Sequence, residues 1–373
     1  MARPGYRLAL LATALAAVVV LLGAYTRLTH SGLGCPDWPG CYGFVTVPLT
    51  EAQRAHAELQ FPAQPLEAHK GWSEMVHRYA AGCLALLIGL LAAQALRRDA
   101  RERRLPLLLL GLLCLQAAFG MWTVTLRLWP HVVTAHLLGG LTILGLLWWL
   151  ALRLAGVGSA GVVPPSTRRW ARWAIVLVLA QAALGGWVSA NYAAMACVDF
   201  PTCQGQWWPA SDFANAFHLG QQIGPNYLGG QLDSEARTAI HLTHRLGAAI
   251  LGSVLLVLAC KLVRAGLGRL AALLLGLLAL QVALGIGNVW LNWPLALAVA
   301  HNAGAGALLL GLVWVNQRLS VAVWVPVHRP QKVYTSPEGD VADALLYLFD
   351  HWRQRPAHWS RNHAQARRHP ERH

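Results

Sequence analysis

Eight apolar runs of roughly twenty residues dominate the chain, near 8–27, 73–96, 105–126, 131–152, 170–192, 238–260, 269–291 and 295–317. A hydrocarbon core about 30 Å thick needs about 20 apolar residues per crossing helix. Lipid offers the main chain no hydrogen-bond partner, so a spanning segment is a helix or part of a closed barrel. These runs are continuous rather than alternating, which selects helices. The chain is therefore expected to be an all-α integral membrane protein with eight transmembrane helices. Only 12% of its residues are charged, against about 25% in soluble domains. The net charge of +14 would suit nucleic acid, but there is no groove-reading motif, and basic loops follow from membrane topology alone. We read no nucleic-acid function. The first run follows Arg3 and Arg7; it is too long for a signal-peptide core, and "GAYTRLTH" offers no small-x-small cleavage site, so it reads as a retained anchor.

Charge sets the expected orientation. "RRDARERR" (Arg97–Arg104), Arg153 with Arg168, Arg169 and Arg172, and Lys261 with Arg264 and Arg269 fall in alternate connections. The intervening connections are poor in Lys and Arg. The positive-inside rule then places both termini in the cytoplasm of a bacterial inner membrane. Two cysteine loops, "CPDWPGC" (Cys35–Cys41) and "CVDFPTC" (Cys197–Cys203), face the other, oxidising side, where both pairs can persist as disulfides. Closing so short a ring removes limited chain entropy, about 2–3 kcal/mol, which would suffice for a structural clip.

The loops are part of a longer duplication. "LQAAFG" (Leu115–Gly120) returns as "LQVALG" (Leu280–Gly285), "VHRYAAG" (Val76–Gly82) as "THRLGAA" (Thr243–Ala249), and "WPHVVTAH" ending at His136 as "WPLALAVAH" ending at His301. Corresponding helices run in the same direction, so this is a parallel repeat of four helices. We expect two pseudo-symmetric four-helix bundles, 1–155 and 156–318, followed by a basic, His-rich cytoplasmic tail, 319–373. In that tail "VADALLYLFDHW" (Val341–Trp352) has helical apolar spacing suited to a membrane surface.

Ionisable side chains inside spans are costly and point to function. His77 is expected about one turn into the second helix, with His136, His244 and His301 at like depth in the fourth, sixth and eighth. One such histidine is more often structural. Four, paired by a duplication, favour two axial pairs for haem iron; a zinc site would gather closer ligands. Arg27, Arg78 and Arg245 stand near the water boundary, where haem propionates need cations, although snorkelling explains them equally well. Of sixteen acidic residues only Glu74 falls inside a predicted span. Its counterpart is His241, an alternative ligand to His244. Glu74 either moves protons or orients His77. Cys83, Cys114 and Cys260 lie in spans and read as packing residues.

Five segments, "RLTHSGLGCPDWPGC" (Arg27–Cys41), "EMVHR" (Glu74–Arg78), "TAHLLGG" (Thr134–Gly140), "THRLGA" (Thr243–Ala248) and "AHNAGAGAL" (Ala300–Leu308), resemble the haem A synthase family over about residues 8–318. The resemblance implies oxidation of the C8 methyl of haem O to the formyl of haem A, destined for terminal oxidases. It implies His77 and His136 on the substrate iron, Glu74 in catalysis, and His244 and His301 as ligands of a haem b in the second half. It implies a redox role for Cys35–Cys41, and Cys197–Cys203 match a second pair found in some members; because only the first pair sits over the half with Glu74, the second reads as structural. Implied partners are a haem O synthase, cytochrome oxidase assembly, membrane lipid and an unassigned electron partner; oligomeric state stays open. His30 stands where a small residue such as Gly is expected, and the tail has no place in the family pattern. The rival reading is a dihaem cytochrome b-type electron-transfer protein, which accounts for the four histidines but not for Glu74 in one half alone.

Overall fold

The computed structural model describes residues 3–218 and 220–320; the amphipathic stretch 341–352 and the tail histidines lie outside the described residues. Eight long helices dominate: α1 (Tyr6–Leu28), α3 (Ala68–Ala95), α4 (Ala100–Thr125), α5 (Pro130–Leu154), α6 (Pro165–Ala190), α8 (Ser234–Arg264), α9 (Gly268–Trp290) and α10 (Leu295–Leu319). Each is long and apolar enough to cross a membrane. The short α2 (Glu51–Gln60) and α7 (Phe213–Ala216) lie in the two long connections. Among the described residues there is no strand, only isolated bridges between Cys41 and Phe44 and between Cys203 and Gln206.

The apolar runs mark the crossings but not the helix ends. α3 starts at Ala68 and α8 at Ser234, each several residues before its apolar run, because an α-helix satisfies its own main chain whether lipid or water surrounds it. Asp233 caps α8 by accepting the Ala236 N–H at 2.8 Å. His77 therefore stands more than two turns into its helix, not one. α2 carries no apolar run; Thr50 and Gln53 form a capping box that starts it. Pro130 and Pro165 occupy the first turns of α5 and α6, where a missing N–H costs nothing.

α1 packs on α3 and α5, and α4 on α3 and α5; α6 packs on α8 and α10, and α9 on α8 and α10. α5 also meets α6 and α10, and α1 meets α10. The most apolar stretch of α5 is 50% buried, against 11% in α4 and α9, so α5 is central and those two face lipid. Helices in lipid gain little from apolar transfer and associate through close contact. Ala9, Ala12 and Ala16 of α1 are buried in one apolar core with Leu147 and Ala151 of α5. Indole N–H groups stitch α5 to α10: Trp148 donates to the Leu310 carbonyl at 3.1 Å and Trp149 to Gln317 Oε1 at 3.0 Å.

That core occupies only the end of the bundle where α1 begins and α10 stops. Its members come from the first turns of α1, α4, α6 and α9 and the last turns of α3, α5, α8 and α10. Toward the cysteine loops the helices bury polar groups as well, among them Glu74, His241 and Asn288, beside a smaller apolar cluster of Trp187, Val188, Ala239 and Ile240. The loop end is thus where polar and ionisable side chains are gathered between the helices.

Candidate functional site

Both cysteine pairs are disulfides, each with Cα atoms 4.7 Å apart, and all four cysteines are buried. The loops share one internal plan. The Asp37 carboxylate accepts the N–H groups of Tyr42 and Gly43 at 2.6 and 2.8 Å. Asp199 accepts those of Gln204 and Gly205 at 2.6 and 3.0 Å. Tyr42 and Gln204 both have φ near +55°, so the carboxylate holds a left-handed turn that the side chains alone would resist. The Thr202 hydroxyl, followed by these N–H groups, holds the Asp199 carboxyl below the usual carboxylate range. Burial, helped by Glu67, Asp37 and Glu74, pushes the Tyr42 phenol up to about 12, and its hydroxyl donates to the Gln64 and Pro65 carbonyls at 3.2 Å.

The three predicted arginines all reach carbonyl oxygens. Arg78 donates to Asp37 and Pro39 at 3.1 and 3.2 Å and also to Gly40. Arg245 donates to Thr202 and Asp199, both at 2.8 Å. Each straps its loop to the helix that carries a histidine. Arg27 instead reaches from α1 to the end of α6, donating to the Ser189 carbonyl at 2.5 Å and the Tyr192 hydroxyl at 2.9 Å. His30 stacks on the same Tyr192, ring centres 5.4 Å apart. His30 has φ +56°, the left-handed backbone that favours glycine, which explains the expectation of a small residue there.

Glu74 is buried, and its partners are Arg78 at 2.5 Å and the Cys35 N–H at 3.0 Å rather than His77. It links the first disulfide loop to the histidine helix. Its counterpart His241 has Nδ1 3.1 Å from the Ala193 carbonyl and lies edge-on to Trp293.

The structure brings His77 and His136 together within the first four helices, ring centres 6.5 Å apart and planes 79° apart, edge-on to each other. Two imidazoles binding one metal from opposite sides, each at about 2 Å, place their ring centres about 6–6.5 Å apart. Nδ1 of His77, His136 and His301 is buried without a hydrogen-bond partner. His244 and His301 lie within electrostatic reach of each other. Each histidine ring rests against a glycine of a neighbouring helix: a Cβ at Gly23, Gly120, Gly185 or Gly285 would stand 3.0, 3.2, 3.3 or 3.1 Å from Cε1 of His77, His136, His244 or His301. Three glutamines attend them. Gln116 donates to the His136 carbonyl at 2.6 Å, Gln181 to that of His244 at 2.9 Å, and Gln281 Nε2 lies 3.4 Å from His301 Nε2. Sequence reasoning passed over these glutamines and glycines. Their signal is "QAAFG", "QAALG" and "QVALG", three copies of one spacing, which acquires meaning only when the facing histidines are known.

Fold and site together define a multi-pass, all-helical membrane protein with paired histidines set beneath disulfide-closed loops. The sequence profile of the cytochrome oxidase assembly protein family matches residues 6–313, and the chain belongs to that family. It is 45% identical over 247 residues to a heme A synthase of Shewanella oneidensis, covering 66% of this chain and 75% of that one. It is 32% identical over 252 residues to a heme A synthase of Chelativorans sp. (62% and 66% covered) and 31% identical over 253 residues to one of Caulobacter sp. strain K31 (62% and 69%). The residues present fit haem: opposed imidazoles at axial spacing, orphaned ring nitrogens, and glycines that leave each ring its place.

Proposed function

We propose that the chain is a haem A synthase that oxidises the C8 methyl of haem O to a formyl group for terminal oxidases. The observation that carries this reading is the opposed His77–His136 pair at 6.5 Å in the half that also holds Glu74. The chain is organised as two related four-helix halves, 1–155 and 156–318. Backbone geometry supports this: the left-handed residues His30, Tyr42, Arg127 and Leu128 are matched by Tyr192, Gln204, Asn292 and Trp293. His77 and His136 hold the iron of the substrate, and His244 and His301 hold a resident haem b, which when bound supplies one-electron redox chemistry.

Written with water as the oxygen source, the methyl and one water yield the formyl, four protons and four electrons. The electrons leave to a membrane redox carrier, and the protons need a nearby acceptor. Glu74 is placed for that role: buried, held by Arg78 and the Cys35 N–H, and within one helical turn of His77. Arg27, Arg78 and Arg245 are the cations that would hold the haem propionates, in exchange for carbonyl partners. Cys35–Cys41 takes a redox part and Cys197–Cys203 a structural one. Both termini are cytoplasmic, and the disulfide loops are extracytoplasmic. A haem O synthase supplies the substrate, and oxidase assembly takes the product.

Haem extracted from membranes co-expressing a haem O synthase should contain haem A only when this chain is present. Haem b alone would instead make it an electron-transfer cytochrome. Glu74→Gln should retain bound haem and lose haem A formation; normal haem A output would remove Glu74 from the mechanism. A stoichiometric haem b surviving both His244→Ala and His301→Ala would overturn the assignment of the halves.

A further inference from the structure

Three of the four histidine helices are held by the same device. Gln116, Gln181 and Gln281 each stand four residues before the glycine that receives the ring, and each amide oxygen fills the notch left by a second glycine, Gly139, Gly247 or Gly304. That second glycine lies three residues after the histidine on its own helix. A Cβ there would collide with the amide oxygen. The amide nitrogen donates to the histidine main-chain carbonyl in two pairs, Gln116 to His136 O and Gln181 to His244 O; Gln181 also lies 3.0 Å from His244 Nδ1 and Gln281 3.4 Å from His301 Nε2, contacts that use a lone pair of the metal-free ring. The fourth pair breaks the pattern at both positions. α1 keeps the ring-seating Gly23 but has Val19 in place of glutamine, and α3 has Ala80 in place of the notch glycine. The Val19 main chain meets the His77 ring as that of Gln116 meets His136 and that of Gln281 meets His301; what this pair lacks is the side-chain amide and its notch.

We propose that Gln116, Gln181 and Gln281 are positioning residues that lock their histidines for metal ligation, and that Val19 with Ala80 leaves His77 unlocked as the exchangeable ligand. The inference rests on the bis-histidine haem reading above. Groups that orient a ligating histidine typically govern metal affinity by about 10–100-fold. A site that must release its product needs one weak ligand; a site that keeps a cofactor needs two strong ones. The halves then differ in their hold on haem through a valine and an alanine rather than through the histidines themselves.

The test measures haem dissociation from the purified full-length protein, loaded with haem b and mixed with excess apomyoglobin. The histidine variants first assign a faster phase to His77–His136 and a slower one to His244–His301. Val19→Gln with Ala80→Gly should slow the faster phase about tenfold and sharpen its low-spin iron spectrum. Val19→Leu with Ala80→Gly should leave it unchanged. Gln181→Leu should accelerate the slower phase by a similar factor. If the double variant does not accumulate, Gln116→Val replaces it and should hasten the faster phase further. Phases insensitive to these glutamine and valine changes overturn the proposal while leaving the haem site standing. If no phase depends on any of the four histidines, the site reading itself falls.

Discussion

A single hydrogen atom in place of a methyl decides whether each histidine ring has a seat. At Gly185 an added Cβ would already press on His244 at 3.3 Å, whereas at Gly252, on the next helix, it would meet nothing within 4 Å. If the second half holds a haem as proposed, Gly185→Val should strip most of it, with Gly252→Val as the silent control; pyridine haemochrome absorbance of the purified proteins reads both. Elsewhere residue identity was legible in sequence only where cost revealed it. Histidines and a glutamate inside apolar runs are expensive and stand out. Glycine is cheap in a membrane helix, and a glutamine there needs a partner without saying which, so neither Gly120 nor Gln181 shows its role until its neighbour across the bundle is known.

At the scale of elements, the cysteine loops are held by strapping as well as by sulfur. Arg245 donates two hydrogen bonds to the loop carbonyls of Asp199 and Thr202. Hydrogen bonds from a charged donor contribute about 1.5–3 kcal/mol each, discounted here because the guanidinium is only partly buried. Arg245→Ala should let the Cys197–Cys203 loop lift, making that disulfide several-fold faster to reduce with dithiothreitol while Cys35–Cys41 keeps its rate. Equal rates in parent and variant would show that the loop stands without its strap. The sequence disclosed these loops as a repeated Cys-x5-Cys frame. It did not disclose that Arg78 and Arg245 reach up to them, because Arg78 lies 41 residues from Asp37 and Arg245 lies 46 from Asp199; Asp37 and Asp199 hold turns only five and six residues on, through a carboxylate whose role shows only once the turn is folded.

At the scale of the molecule, the ends of α1 and α6 meet in a seam of Arg27, His30 and Tyr192, with the Arg27 guanidinium 4.3 Å from the Tyr192 ring centre. Burial, then Arg27 and Lys70, hold His30 below its ordinary value. The unfolded chain therefore binds a proton there that the folded seam refuses, so stability falls as pH drops below about 6.5. The melting temperature should decline through that range, and His30→Gly, which also suits the left-handed backbone, should flatten the decline. Orientation is tested by labelling intact cells with a membrane-impermeant maleimide in a background lacking Cys83, Cys114 and Cys260. Trp207→Cys should react and Val162→Cys should not; the reverse would invert the molecule. The apolar runs by themselves determined the eight crossings, because lipid leaves a buried main chain no other choice. The repeated motifs likewise marked the four histidines, since a membrane tolerates such groups only for a reason. Only the tertiary structure decided that His77 lies beside His136, that Glu74 belongs to Arg78 and Cys35, and that three of the histidines have a glutamine amide in a neighbouring glycine notch. Those facts depend on distances between helices, which no spacing along a single helix contains.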